Sequence, residues 1–345
     1  MSNDFDIIEQ IAPDMIQVIE QRFRIMRNIY WNQPVGRRKL SEKVNLTERI
    51  LRSETEVLKQ LNLIDVSKIG MSLSEKGLSL YSDLEIVMAE QTGNRVLEKK
   101  LASKLGIERC LITPGDSDTE SKVLEKFGEI ISDILSTRLP DGENIIAVMG
   151  GTTMATVSRC MYKLETPERH NIFVPARGGI GETIQTQANS ISATMAEQTG
   201  GEFKVLYVPE QVSSETYELL LHEPTVQRVL ELISKSNVVI HSIGRALHMA
   251  KRRNMSASDL AMLSNNGAVA ESFGYFFDKD GEVVYKIPRI GLQMKDLQKI
   301  PYVIAVAGGK TKARAIEAYI KNAPKQTWLL TDEGAAKQIL KEETL

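Results

Sequence analysis

The residues most able to do chemistry stand in one short run of glycines and hydroxyls. Apolar Ile145 to Met149 is followed by Gly150 and Gly151, then by Thr152 and Thr153. This reads as a buried strand, a tight turn and the start of a helix. Glycine lets backbone N–H groups approach a ligand closely. A helix start offers unpaired N–H donors and the positive end of its dipole. The two hydroxyls add donors, so the run predicts a phosphate cradle. An ordinary strand-to-helix turn uses the same glycines, and the weight of the reading comes from repetition. Arg177-Gly178-Gly179 follows a second apolar run, and Gly308-Gly309-Lys310-Thr311-Lys312 follows a later one. Gly244 leads into the basic run Lys251-Arg252-Arg253. Three double-glycine turns, each beside a hydroxyl or a cation, predict an anion with more than one charged group. Arginine supplies a bidentate fork and lysine a point charge. Gln187 and Glu271 are of the types that hydrogen-bond sugar hydroxyls. Spacing does not choose between Lys310 and Lys312. No Gly-to-Lys spacing matches a Walker loop, and GGTTMA lacks the third glycine of a dinucleotide fingerprint. A phosphorylated metabolite fits better than a nucleotide.

The elements that must carry these turns are six apolar runs: Ile145 to Met149, Ile172 to Ala176, Lys204 to Val208, Val238 to Ile243, Val303 to Ala307 and Trp328 to Thr331. Continuous apolar runs alternating with helical stretches predict a parallel sheet covered on both faces, a Rossmann-like α/β domain. In such sheets ligands sit beyond the carboxyl ends of the strands, where the glycine turns fall. Tyr275 to Ile287 reads instead as a hairpin turning at Asp280-Gly281. Glu182, Glu271 and Asp332 are possible acids for a sugar-phosphate isomerase or deaminase, the alternative reading. No acid–histidine pairing supports it, and fold alone does not imply activity.

The amino-terminal part has a different pattern. Apolar residues from Met15 to Tyr30 fall at helical spacing, Pro34 and Gly36 break it, and Arg37 to Val44 forms a second short helix. After a turn at Asn45-Leu46, Thr47 is placed to cap a third helix, Glu48 to Leu61. Its expected buried face is Ile50, Leu51, Val57, Leu58 and Leu61; its expected outward face is Arg49, Arg52, Ser53, Thr55 and Glu56. Leu63 to Leu73 reads as a two-stranded wing turning near Lys68 to Gly70. Three helices and a hairpin are the order of a winged helix-turn-helix, whose last helix enters the DNA major groove. Between Glu20 and Gln60 ten cations face five carboxylates, in a chain of net charge −2. Arg37, Arg38, Lys39 and Lys43 suit phosphates; Arg49, Arg52, Ser53 and Thr55 suit base edges. A small helical domain docking another protein through a basic face is the competing reading.

Helical spacing continues from Ser74 to Leu105 with a break at Thr92-Gly93, as either a linker or a dimer helix. The expected division is residues 1–75 for DNA binding, 76–106 as a helical connector and 107–345 for effector binding. The 345 residues suffice for two domains. Cys110 and Cys160 make no framework, and four histidines show no ligand spacing with them, so neither disulfide nor zinc is expected. No run approaches the about 20 apolar residues of a bilayer span, and the acidic start lacks a signal peptide's basic region, so a cytoplasmic protein is expected.

Longer motifs carry a resemblance. NQPVGRRKLS at Asn32 to Ser41, GDSD at Gly115 to Asp118, VPARGGIGE at Val174 to Glu182 and QANSISATMAE at Gln187 to Glu197 are similar to the SorC/DeoR group of bacterial transcriptional repressors, as are AKRRN at Ala250 to Asn254, ESFGYFF at Glu271 to Phe277 and TDEGAAK at Thr331 to Lys337. The resemblance covers nearly the whole chain. It implies repression of a glycolytic operon, relieved by fructose 1,6-bisphosphate, with no cofactor. It implies effector contacts at Gly150, Gly151, Thr152, Thr153, Arg177, Gln187, Arg252, Glu271 and Lys312. Operator DNA and a homo-oligomer, dimer to tetramer, are the implied partners. GGKTKA stands where the group leads one to expect GGSSKA.

Overall fold

In the computed structural model, residues 11–44, 46–91, 94–164, 167–179, 183–209 and 214–341 are described. Asn45, Thr92, Gly93, Glu182 and the first ten residues, on which expectations above rest, lie outside them. The chain divides into two units, Met1–Leu97 and Glu98–Leu345.

The first unit holds α1 (Pro13–Asn32), α2 (Arg37–Val44), α3 (Glu48–Gln60), β1 (Ile64–Ser67), β2 (Gly70–Leu73) and α4 (Glu75–Gln91). Thr47 caps α3, its hydroxyl accepting from Ile50 N at 3.3 Å. β1 and β2 pair antiparallel from Ile64 opposite Leu73 to Ser67 opposite Gly70. Ile25, Met26, Ile29, Leu40, Leu51, Leu58 and Met71 make one core, which Tyr81 of α4 joins by stacking on Phe23 and Tyr30. The three helices and the wing thus share a single apolar centre. Arg22 of α1 also reaches Glu54 of α3 at 2.8 Å.

The division between the units falls inside α5 (Asn94–Leu105). Its carboxyl half belongs to the second unit: Glu98 accepts from Ile112 N at 2.9 Å, and Lys104 donates to Ile339 O at 2.8 Å.

The second unit is built on β3 (Arg109–Thr113), β4 (Gly142–Val148), β5 (Arg169–Pro175), β6 (Glu202–Phe203), β7 (Val238–Ser242), β12 (Tyr302–Val306) and β13 (Thr327–Asp332). They form one parallel sheet in the order β3-β13-β12-β7-β4-β5-β6. Helices α6 (Lys122–Arg138), α7 (Thr152–Arg159), α8 (Ala188–Thr199), α9 (Ser214–His222), α10 (Pro224–Ser234), α13 (Ala313–Ile320) and α14 (Glu333–Lys341) accompany it. β13 is buried at every position and β4 along its last five residues, as a sheet covered on both faces requires. Between β7 and β12 a second sheet, β8 (Gly244–Arg245), β9 (Ala268–Ser272), β10 (Tyr275–Asp278) and β11 (Val283–Lys286), runs antiparallel, with α11 (Ala246–Arg252) and α12 (Ala257–Asn265) inserted after β8.

Two expectations about strands are corrected. Lys204 to Val208 is not a strand: β6 stops at Phe203, and beyond it the Asn189 side chain takes the place of a neighbouring strand, accepting from Leu206 N at 2.9 Å and donating to Leu206 O at 3.1 Å. A side-chain amide thus satisfies backbone groups that would otherwise need a ladder. β3 was not expected. Its five residues begin with an exposed arginine at the sheet edge, too short and mixed a pattern to separate from a loop.

Candidate anion site and nucleic-acid interface

From β4 the chain winds outward through β5 and β6, then returns to β7 on the other side of β4. Loops leaving β4 and β7 therefore part in opposite directions and open a crevice at the strands' carboxyl ends. The turn after β4 fills one wall. Gly151 has φ +130°, where a side chain would be strained, and its N–H donates to Thr186 O at 2.9 Å. A Cβ on Gly150 would lie 2.6 Å from Thr186 O and 2.7 Å from Arg177 Nη2, so this glycine lets the buried arginine lie against the turn. Gly151 also faces Ser242 at the end of β7. No side chain caps α7, leaving the N–H groups of its first turn, beside exposed Thr152 and buried Thr153, without a side-chain acceptor.

The turn after β12 brings in the cation. Lys312 Nζ donates to Thr153 Oγ1 at 3.2 Å. Burial pulls its pKa from the ordinary 10.5 to about 8; Asp118 and Asp332 act upward, Arg245 and Arg252 further downward. Lys312 is thus within electrostatic reach of two carboxylates, Asp118 and Asp332, and more weakly of Arg245 and Arg252. Lys310 points elsewhere: its side chain is 62% exposed and pairs with Asp116 at 3.3 Å. The turn itself is braced by acids. Asp332 accepts from Gly309 N at 2.6 Å, Ser117 N at 2.9 Å and Ala335 N at 2.8 Å. Asp118 accepts from both Thr311 N and Thr311 Oγ1.

Behind the glycine turn, Arg177 lies against Gly150 and acts on Glu271. Arg177 is 3% exposed, and its backbone bridges to Gly291. Glu271 meets Arg253 at 3.1 Å and accepts from Gly274 N at 2.8 Å. Burial would raise the Glu271 pKa, but Arg253, the Gly274 N–H and Arg177 together hold it below its ordinary value. Glu271 is thus an ionised group with one oxygen committed to the protein. Gln187, half-buried, follows the one-turn helix Ile184–Thr186.

Of the basic run, Lys251 is exposed, Arg252 acts on Lys312 and Arg253 on Glu271. Sequence reasoning missed Arg245 and Arg253 as members of the site. Arg245 did carry a signal, since it directly follows a glycine at the carboxyl end of β7. Among the described residues no three His, Cys, Asp or Glu side chains gather as a metal site, and no helix is long and apolar enough to cross a membrane.

In the first unit Arg37, Arg38 and Lys39 are exposed and Lys43 is half-buried along α2. Arg49, Arg52 and Ser53 are exposed on α3. Thr55 is not. It is 4% exposed and its hydroxyl donates to Leu51 O at 2.8 Å, so it cannot meet a base edge. The buried stripe is Leu51, Thr55 and Leu58, at spacings of four and three; Ile50 and Leu61, expected inside, are 44% and 47% exposed. Thr55 can be buried on a helix because its hydroxyl returns to its own backbone.

The family model "Putative sugar-binding domain" matches residues 89–341, and the CggR N-terminal DNA binding domain model matches residues 18–88. Fold and matches define a transcriptional regulator with a DNA-binding and a sugar-binding domain, not an enzyme. The chain is 44% identical to the Central glycolytic genes regulator of Bacillus subtilis (strain 168), over 97% of this chain and 98% of that protein. It is 64% identical to the solved structure of a SorC family transcriptional regulator from Enterococcus faecalis, with TM-score 0.69 over 71% of this chain and 99% of that one. The full-length sorbitol operon regulator SorC from Klebsiella pneumoniae has the same fold at 15% identity, with TM-score 0.65 over 95% of this chain and 99% of that one. The chain belongs to the central glycolytic genes regulator family within the SorC group.

Proposed function

We propose that this protein represses a glycolytic operon and that fructose 1,6-bisphosphate, bound at the crevice, releases it from its operator. The observation that carries the reading is the Lys312 ammonium seated on the Thr153 hydroxyl at the start of α7, where no side chain caps the helix and the Gly150-Gly151 turn leads in. A helix start with unpaired N–H groups beside a lysine is suited to a phosphate, whose charge meets both. Gly150, Gly151, Thr152 and Thr153 supply donors, Lys312 and Arg252 supply charge, and Arg177, Gln187 and Glu271 meet the sugar or its second phosphate. On the DNA side, Arg37, Arg38, Lys39 and Lys43 hold phosphates, while Arg49, Arg52 and Ser53 read bases. Subunits assemble as dimers and as a tetramer on DNA, which matches two-fold operators to two-fold proteins. If the bisphosphate prefers the arrangement that does not fit DNA, linkage requires it to weaken operator binding by the same coupling, about 1–3 kcal/mol.

The test is fluorescence anisotropy of the full chain on its own promoter DNA, with and without fructose 1,6-bisphosphate at fixed salt, since phosphate contacts make affinity salt-dependent. Specific binding that weakens roughly 5–150-fold with the sugar is expected. Specific binding that ignores it would remove this effector, and absence of specific binding would remove the repressor reading.

A further inference from the structure

Among the exposed residues of α3, Ile50 is the one that is apolar; the others are Glu48, Arg49, Arg52, Ser53, Glu56, Lys59 and Gln60. It is 44% exposed, third in the helix, one turn before Ser53 and flanked by Arg49. Its backbone N–H is held by the Thr47 hydroxyl, and the stripe Leu51, Thr55 and Leu58 fixes the helix against the core. A β-branched side chain there is stiff as well as anchored. It presents a rigid apolar surface at the amino-terminal end of the helix that meets bases, beside Arg49 and one turn before Ser53.

The base edges of the major groove offer one apolar group, the C5-methyl of thymine. We infer that Ile50 reads a thymine methyl in each operator half-site, a specificity contact beyond the polar ones of Arg49, Arg52 and Ser53. The inference rests on the operator-binding reading above. Burying one methyl against an isoleucine changes affinity about four-fold to ten-fold.

The test replaces each operator thymine in turn by deoxyuridine, which lacks only that methyl, and measures the anisotropy of the full-length wild type and of Ile50→Ala. The wild type should lose about four-fold to ten-fold at one thymine per half-site. Ile50→Ala should bind the thymine and deoxyuridine operators equally at that position, with a circular dichroism spectrum unchanged from the wild type. Wild-type binding that is indifferent to every deoxyuridine, or a penalty that persists undiminished in Ile50→Ala, overturns the inference and leaves operator binding intact. Were Ile50→Ala to misfold, Ile50→Gln decides at this exposed helical position: it should bind the thymine and deoxyuridine operators equally there, and an undiminished penalty overturns the inference. Absence of wild-type operator binding would overturn both readings together.

Discussion

The Lys312 ammonium donates to the Thr153 hydroxyl at 3.2 Å, tying the turn after β12 to the helix start after β4. Two segments 159 residues apart in the chain thereby share one charge at the crevice. Lys312→Met should abolish the response to sugar bisphosphate while leaving operator affinity near wild type. Lys310→Ala should leave the response unchanged, because that lysine is spent on Asp116. Effector titrations of the protein–operator complex check both, and a normal response in Lys312→Met would remove it from the site.

The same lysine predicts a pH dependence. Its pKa of about 8 means that it loses its proton just above neutrality in the ligand-free protein. Phosphomonoesters are already dianionic there, so their own titration does not contribute. Effector affinity should fall as pH rises through 8, by up to about ten-fold per unit. Ligand-free stability should move the other way. Between about 8 and 10.5 the unfolded chain holds more protons than the folded one, so stability rises with pH. Calorimetry and thermal melting of wild type and Lys312→Met should show both slopes in the former and neither in the latter.

Arg253 and Glu271 form a buried pair whose side chains are 6% and 5% exposed. Removing one partner strands the other charge, so Arg253→Met should destabilise the protein by about 3–5 kcal/mol. Adding Glu271→Gln should recover part of that loss, because no bare carboxylate remains. Urea unfolding measures it, and a double variant less stable than Arg253→Met would contradict the pairing.

Asp332 holds three backbone N–H groups, two of them in loops remote in sequence. Asn keeps one acceptor oxygen of the two and loses the charge. Asp332→Asn should cost about 2–3 kcal/mol in urea unfolding. It should also weaken effector binding, since the turn it braces carries Lys312.

The two helices of the DNA-binding unit should differ in kind. Arg38→Ala or Lys39→Ala should weaken binding to all sequences and lower the salt slope by about 0.9 each. Arg52→Ala should cost about 1–3 kcal/mol on the operator and much less on random DNA. Equal losses on both DNAs would place Arg52 on the backbone instead.

Much of this was legible in local sequence. Five apolar runs became the inner strands because continuous burial demands continuous hydrophobicity. Thr47 was legible as a cap because capping is a matter between neighbours. The hairpin turned at Gly281, with φ +85°, where glycine was needed. The turn residues Gly150, Gly151 and Gly309 stood at strand ends as expected. The errors also had local causes. Rotating α3 by part of a turn exchanged Ile50 for Thr55, since a threonine and an isoleucine read alike until one knows which face meets the core. Lys204 to Val208 had strand composition, but Asn189 had already satisfied its backbone.

The sequence by itself determined a parallel sheet with glycine turns at its carboxyl ends and a basic helical unit before it. Those properties depend on periodicity, propensity and charge along a continuous stretch. Tertiary structure alone decided that Lys312 lies on Thr153 while Lys310 turns to Asp116, that Arg253 rather than Arg252 holds Glu271, and that Arg245 comes within electrostatic reach of Lys312. A lysine or arginine head sits at the end of a long flexible stem and can reach either side of its backbone. Its direction is set by the charges and cavities it meets, and these come from distant parts of the chain brought together only when the sheet assembles.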